Sequence, residues 1–495
     1  MIIMKTIQFR SMEGKVFESR VKSDDVKNME RWLGYCLGPA LVACMNAICS
    51  QSYLNQFYTD VLNLSPVAGG LFLALMPIIS KIVDAVTNVI MGKVIDSTKS
   101  KQGKARPWIL ISGPLMALTS ILLFAIPESS IPVTVIWVTV SYNLYFCVAY
   151  TMYNISNTLL VPLSTRNSKQ RDTLAMASSM GISMIPGMLV SLLFPMVLLP
   201  SLGVSRQRWG IAMSVIGLLA IPATLIQYRF TRERITEDSA KTEERTEAIS
   251  FRKQIKGCLS SRYWVVIMAV AVIYQLYNNF QITSVLYYSN WVLGTYNDGT
   301  TITILNAIGQ APLGIGIVIL WPLVKKFGKN RVMIAGCIMS LAGGIFCALN
   351  ARNMGIVLIG LVIRSFGSLP ITYTLTAMIA DALDHVEWQS GFRCDGFSSS
   401  VYSIIITVST GISMGVFNLL LGSLGYVAPL PDGSWIAQNS AVQTLFVAGM
   451  FVIPAAGAFL IGLLLSFFRA DRELQRMQKE LSERHSPAVR EGEGK

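Results

Sequence analysis

Lys81 and Asp84 stand three residues apart within an apolar run that ends at Asp96. At that spacing both side chains share one helix face. A charge kept in hydrocarbon costs several kcal/mol, so an intramembrane carboxylate is a candidate functional group by default. With a rise of ~1.5 Å per residue, Asp84 lies roughly 18 Å above the helix end at Asp96. In a later apolar run, Asn154 lies about 15 Å from its own end near Ser164. Thr151 and Asn157 stack with Asn154 at helical spacing. Two helices thus offer oxygen and nitrogen ligands at one depth. The chemistry this permits is a proton or cation site at Asp84, with amide and hydroxyl oxygens of the kind hard cations take. The alternative is a buried Lys81–Asp84 pair, with interhelical amide bonds that hold the bundle together.

Arg364 is a second intramembrane charge, set in Leu-Val-Ile-Arg-Ser-Phe-Gly. Its guanidinium could hold a carboxylate or phosphate on a solute, or snorkel to the outer surface. Further polar and aromatic groups recur on other apolar runs, among them Asn55, Tyr274, Tyr277, Asn278 and Tyr373. A cavity for a hydroxyl-rich solute needs amides for hydrogen bonds and rings for stacking. Each is individually also a plain helix–helix contact.

The elements that must position these groups follow from composition. Hydrophobic residues make up 52% of the 495 and charged residues only 14%. Soluble proteins carry about a quarter charged, so this is a membrane protein. Long runs hold a single acid each, at Asp60, Glu128, Asp298 or Asp432, where a turn between two spans belongs. The pattern predicts an all-α membrane protein of twelve helices, near 32–57, 66–95, 108–127, 132–162, 172–200, 208–230, 263–292, 301–324, 331–350, 354–383, 397–426 and 441–468. Basic residues collect in 1–31, 93–106, 166–171, 229–262, 325–331 and 469–495. The positive-inside rule then puts both termini in the cytoplasm. The net charge of +13 is a topology signal, with attraction to anionic lipid headgroups as its other consequence. No single basic patch speaks for nucleic acid, no obligate protein partner is evident, and no cleavable signal peptide is visible. Eight scattered cysteines show no metal-ligand spacing. Two histidines and the lack of a nucleotide-binding loop argue against an enzyme.

The one long hydrophilic interruption divides the chain into a segment 1–31, a six-helix half 32–230, a linker 231–262, a second half 263–470 and a tail 471–495. Two six-helix halves are the outline of a major-facilitator transporter.

Five stretches carry a closer resemblance. They are Lys81-Ile-Val-Asp-Ala-Val-Thr-Asn-Val-Ile-Met-Gly92, Asp96 through Gly103 to Arg106-Pro-Trp108, Asn154-Ile-Ser-Asn-Thr-Leu-Leu-Val-Pro162, Gln170-Arg171-Asp-Thr-Leu174, and Asp381 through Arg393 to Asp395-Gly396. In order and content they resemble the glycoside–pentoside–hexuronide:cation symporter family of the major facilitator superfamily. The resemblance implies a secondary transporter that carries a sugar or glycoside-like solute through the cell membrane by alternating access, coupled to H+ or Na+. It implies a cation site at Asp84, Asn88, Thr151 and Asn154. From the polar and aromatic residues themselves, solute contacts would come from Lys81, Asn157, Asn278, Arg364 and Tyr373; the matched motifs imply a cytoplasmic gate at Asp96, Arg106, Asp381 and Arg393. Asn88 replaces the second acid of the family's motif. With one carboxylate, proton coupling fits better than sodium. An anionic or amphipathic solute such as a hexuronide or lysolipid, carried with or without coupling, is the alternative; a non-transporting membrane sensor is a third.

Overall fold

A computed structural model describes residues 7–8, 18–23, 25–100, 102–165, 167–235, 251–466, 477 and 480. Backbone groups in hydrocarbon must be satisfied within their own segment, and the long apolar runs are accordingly helical. They form α1 (Glu30–Ser50), α2 (Leu71–Asp96), α3 (Arg106–Phe124), α4 (Ile131–Ser164), α5 (Lys169–Leu202), α6 (Arg206–Arg229) and α7 (Arg262–Leu293). Next come α8 (Thr300–Phe327), α9 (Lys329–Leu349), α10 (Met354–Ser390), α11 (Asp395–Ser423) and α12 (Ser440–Ser466). These are the twelve helices expected. The linker's described part includes a short helix, Phe251–Ser260. The charge-patterned tail from Asp471 falls almost wholly outside the described residues. The departure from an all-helical fold is small: Ile7–Gln8 pairs in parallel with Thr98–Lys99.

The chain forms two compact units. The first holds residues 1–245 with the short segments Asn297–Thr303 and Asn418–Ala437; the second holds the remainder. In the first unit α1 packs on α5 and α6, α3 on α4 and α6, and α2 along α4. In the second, α9 packs on α10 and α12, and α7 on α10 and α12.

The first span is shorter than its apolar run. Its helix breaks at Gln51, whose backbone is extended (φ −81°, ψ 178°), and resumes as Ser52–Gln56 and a π-helical turn, Phe57–Val61. Polar side chains at this end are used within the first unit. Asn55 and Asn418 exchange amide hydrogen bonds at 2.9 Å, and Gln56 donates to Asn297 at 2.8 Å. Asp60, expected on an outward turn, is buried at 3% exposure. Its carboxylate accepts from the Thr59 and Tyr426 hydroxyls, both at 2.7 Å. The acid is retained because these donors replace water.

α9 and α10 meet through glycines. A Cβ on Gly343 would lie 2.6 Å from the Arg364 backbone nitrogen, and one on Gly367 2.4 Å from that of Ser340. Small residues let two membrane helices approach to backbone contact, the main source of their packing energy. Gly367→Leu is expected to lower the thermal unfolding midpoint in detergent by several degrees or prevent folding. Gly92→Ala, where nothing lies within 4 Å, is expected to leave it unchanged.

Candidate functional site

α2 runs from Leu71 to Asp96 without interruption, although Pro77 lies inside it. It presents Lys81, Asp84 and Asn88 to α4. The Lys81 ammonium stands 3.3 Å from the Asp84 carboxylate, the two side chains 19% and 15% exposed. The Asn88 amide donates to Asp84 Oδ1 at 3.1 Å and to the Asp84 backbone carbonyl at 2.7 Å. From α4, the Thr151 hydroxyl reaches Asp84 Oδ1 at 2.9 Å. Thr151 follows a π-helical stretch, Leu144–Tyr150, which leaves the Phe146 carbonyl within 3.0 Å of the same hydroxyl. Such bulges in membrane helices often mark functional positions. Lys81 Nζ also lies 5.5 Å from the centre of the Phe146 ring, a second resting place for the ammonium.

Four predicted groups, Lys81, Asp84, Asn88 and Thr151, therefore meet at one carboxylate. Asn154 is half-buried and makes no side-chain hydrogen bond among the described residues. Asn157 is engaged elsewhere: its Oδ1 accepts from Gln227 of α6 at 2.6 Å, and Gln227 accepts from Tyr153. In the second unit Asn278 and Tyr373 are half-buried, near a Tyr274 hydroxyl that pairs with Thr372 at 3.2 Å. Arg364 is 7% exposed, and its Nη1 donates to the Met450 carbonyl at 2.7 Å. Met450 belongs to a π-helical turn of α12, Ala448–Val452. Arg364 thus ties α10 to α12 rather than reaching a surface.

The four residues expected at a cytoplasmic gate each bind within their own unit. Asp96 is largely exposed and 3.7 Å from Lys104. Arg106 is buried, stacks on the Tyr228 ring and donates to the Tyr228 carbonyl at 2.7 Å. Asp381 pairs with Lys329 at 2.6 Å. Arg393 meets Asp384 and Asp395 at 2.5 and 2.9 Å, and these acids hold its guanidinium charged well above its ordinary range.

Two residues that composition marks as part of a solvated linker are instead inserted into the first unit. The Glu233 carboxylate accepts from the backbone N–H groups of Lys104, Ala105 and Arg106, at 2.9, 3.0 and 2.8 Å. It thereby caps the N-terminus of α3, where unpaired N–H groups and the helix dipole favour an anion. Gly103, at φ +101°, leaves the space: a Cβ there would lie 2.3 Å from the Glu233 carboxyl carbon. Arg234 pairs with the buried Glu30 at 2.7 Å and donates to the Ser164 carbonyl; Tyr35 shares a hydrogen bond with the Ser164 hydroxyl. The signal present in the sequence was Gly103 followed by Arg106-Pro; nothing in the linker's composition pointed to its partner.

Twelve long apolar helices and a carboxylate held within them by a lysine define a membrane transporter of the major facilitator type. The chain belongs to the MFS/sugar transport protein family, whose model matches residues 34–472. It is similar to the isoprimeverose transporter of Lactiplantibacillus pentosus, 25% identical over 473 residues that cover 93% of each chain. It is also similar to a putative sulfoquinovose importer of Escherichia coli, 24% identical over 446 residues, 89% of this chain and 90% of that one. Among solved structures, a bacterial homologue of the human lysosomal transporter Spinster superposes with a TM-score of 0.58 at 12% identity, over 94% of this chain and 100% of that one, a likeness of fold alone. The family consists of transporters, and the chain is a multi-pass membrane transporter rather than an enzyme.

Burial pushes the Glu233 carboxyl above its ordinary value, against the pull of the three N–H donors and Arg106. A raised value in the folded state means that its contribution to stability is full at low pH and is lost as pH rises through the folded value. Glu233→Gln keeps an acceptor for α3 and removes that titration. In melting curves from pH 4.5 to 7.5, the native protein is expected to lose stability relative to Glu233→Gln as pH rises.

Proposed function

We propose that the protein is a cation-coupled symporter for a sugar or glycoside-like solute, working by alternating access in the cell membrane with both termini cytoplasmic. The observation that carries the reading is the Asp84 carboxylate, shared by Lys81, Asn88 and Thr151. A buried carboxylate has to be neutralised in every state. Lys81 does this when no ion is bound, and an arriving cation or proton displaces it. Release of Lys81 frees an ammonium to meet a solute hydroxyl or to rest on Phe146, so ion arrival and solute arrival are linked through one side chain.

A proton is the favoured ion. Sodium asks for several oxygen ligands, and the Asn88 side chain turns its nitrogen, not its oxygen, to Asp84. The solute class is supported by the names of relatives, an isoprimeverose transporter and a putative sulfoquinovose importer. Isoprimeverose is neutral and sulfoquinovose anionic. Arg364, the residue that suggested an anionic solute, is buried and directs Nη1 to the Met450 carbonyl, which favours a packing role between α10 and α12. Asp96 and Arg106, with Asp381 and Arg393, are assigned to the cytoplasmic ends, where their networks set how those ends open.

Uptake into vesicles under an imposed pH or sodium gradient tests this directly. Asp84→Asn is expected to abolish accumulation above the external concentration while leaving solute counterflow. Asn88→Asp, which restores a second carboxylate, is expected to make uptake depend on sodium. Gradient-driven accumulation that survived in Asp84→Asn would remove Asp84 from the coupling step.

A further inference from the structure

We propose that the second unit carries a binding site for an anionic membrane phospholipid, with an acyl chain in a groove between α8, α9 and α10 and its headgroup at the turn from α8 to α9. The groove has a volume of about 400 Å³, within the range of roughly 300–1,000 Å³ that ligand pockets occupy. Every side chain along it is apolar, including Leu323 on α8, Met339 on α9 and Phe366 on α10. Its floor is set by the absence of a side chain at Gly336, where a Cβ would meet the Gly367 carbonyl at 2.6 Å and the Pro370 ring at 2.7 Å. Exposed Ile319, Leu323 and Met339 on its walls belong to membrane-spanning helices, so the medium that fills it is hydrocarbon.

Charge selects the lipid. Leu323 stands two residues before Lys325, and Val332, which also lines the groove, directly follows Arg331. The groove therefore runs out onto the basic turn. Lys329 of that turn is spent on Asp381. Lys325, Lys326 and Arg331 are exposed, and no carboxylate lies within ion-pair distance of them among the described residues. No acid occurs in the sequence from 321 to 340. Trp321, 72% exposed and one helical turn from Lys325, stands where indole rings favour the headgroup level. An apolar trough ending in three cations that have no carboxylate partner among the described residues, Lys326 resting against the Phe327 ring, complements a lipid with one phosphate and no compensating ammonium.

The test uses the full chain in phosphatidylcholine vesicles that contain either chain-brominated phosphatidylglycerol or chain-brominated phosphatidylcholine. The fluorescence lost on Trp321→Phe isolates the Trp321 signal. Brominated phosphatidylglycerol is expected to quench that signal at a mole fraction on the order of tenfold lower than brominated phosphatidylcholine, given the attraction of each basic residue to anionic lipid. Replacing Lys325, Lys326 and Arg331 together by Gln, a change confined to exposed side chains, is expected to abolish the preference. Ala335→Phe or Val362→Phe, which fill the groove from α9 and α10, is expected to weaken it with the cations in place. Equal quenching by the two lipids in the native protein overturns the site. A preference that persists in the triple Gln variant overturns the headgroup assignment, and one unaffected by filling the groove overturns the acyl-chain assignment.

Discussion

The obligation to keep one carboxylate neutralised inside the membrane orders much of the first unit. Asp84 is 15% exposed, and an isolated charge at such a place would cost several kcal/mol. Three side chains meet that cost, and they arrive by different routes. Lys81 and Asn88 come from the helix itself, at one turn to either side. Thr151 comes from α4 and is delivered only because α2 and α4 pack side by side and α4 passes through a π-helical stretch just before it. A change of register in α4 would leave one carboxylate oxygen without its hydroxyl. Helix packing and the polar site thus depend on each other.

The parts of this arrangement legible in the sequence are those encoded by local spacing. The i,i+3 relation of Lys81 and Asp84 and the common depth of Asp84 and Thr151 follow from helix geometry alone. The twelve helices are legible for the same reason, since hydrocarbon allows an isolated spanning segment hardly any other form. What was not legible depends on contacts between distant positions. Asn157 shares the spacing of Thr151 but faces Gln227, seventy residues on, and no pattern within α4 announces this. Arg364 reads as a ligand or a snorkelling cation until Met450, 86 residues later, supplies the carbonyl. Asp60, expected in a turn, lies instead in the π-helical segment Phe57–Val61 and is buried where Tyr426 reaches it.

The linker shows the same limit in the opposite direction. A stretch of mixed charge reads as solvated, and that is the common outcome. Glu233 and Arg234 depart from it because the first unit presents two complementary vacancies: the uncapped N-terminus of α3 and the buried carboxylate of Glu30. One acid and one base, adjacent in sequence, each fill the site of opposite sign. The first residues after α6 are therefore fixed to the unit they leave.

In the proposed coupling, the orientation of the Asn88 amide bears on which ion the site suits. Its side chain lies against two acceptors, the Asp84 carboxylate and the Asp84 backbone carbonyl, so the nitrogen must face them; with oxygen turned inward, three oxygens would meet without a proton. The amide therefore acts as a donor that steadies the carboxylate. It does not act as a ligand for a metal ion. The Thr151 hydroxyl has one proton and two acceptors in reach, Asp84 Oδ1 at 2.9 Å and the Phe146 carbonyl at 3.0 Å. A sodium ion would require the Asn88 amide to turn and present oxygen, which forfeits its hydrogen bond to the carboxylate at the moment Lys81 leaves. A proton needs only one free position on a single oxygen, and Asp84 Oδ2 has it as soon as Lys81, 3.3 Å away, withdraws. In the proposed coupling, Asn88 is a donor where a carboxylate would be a cation ligand, and a proton arriving at Asp84 Oδ2 leaves the Asn88 hydrogen bond to Oδ1 in place.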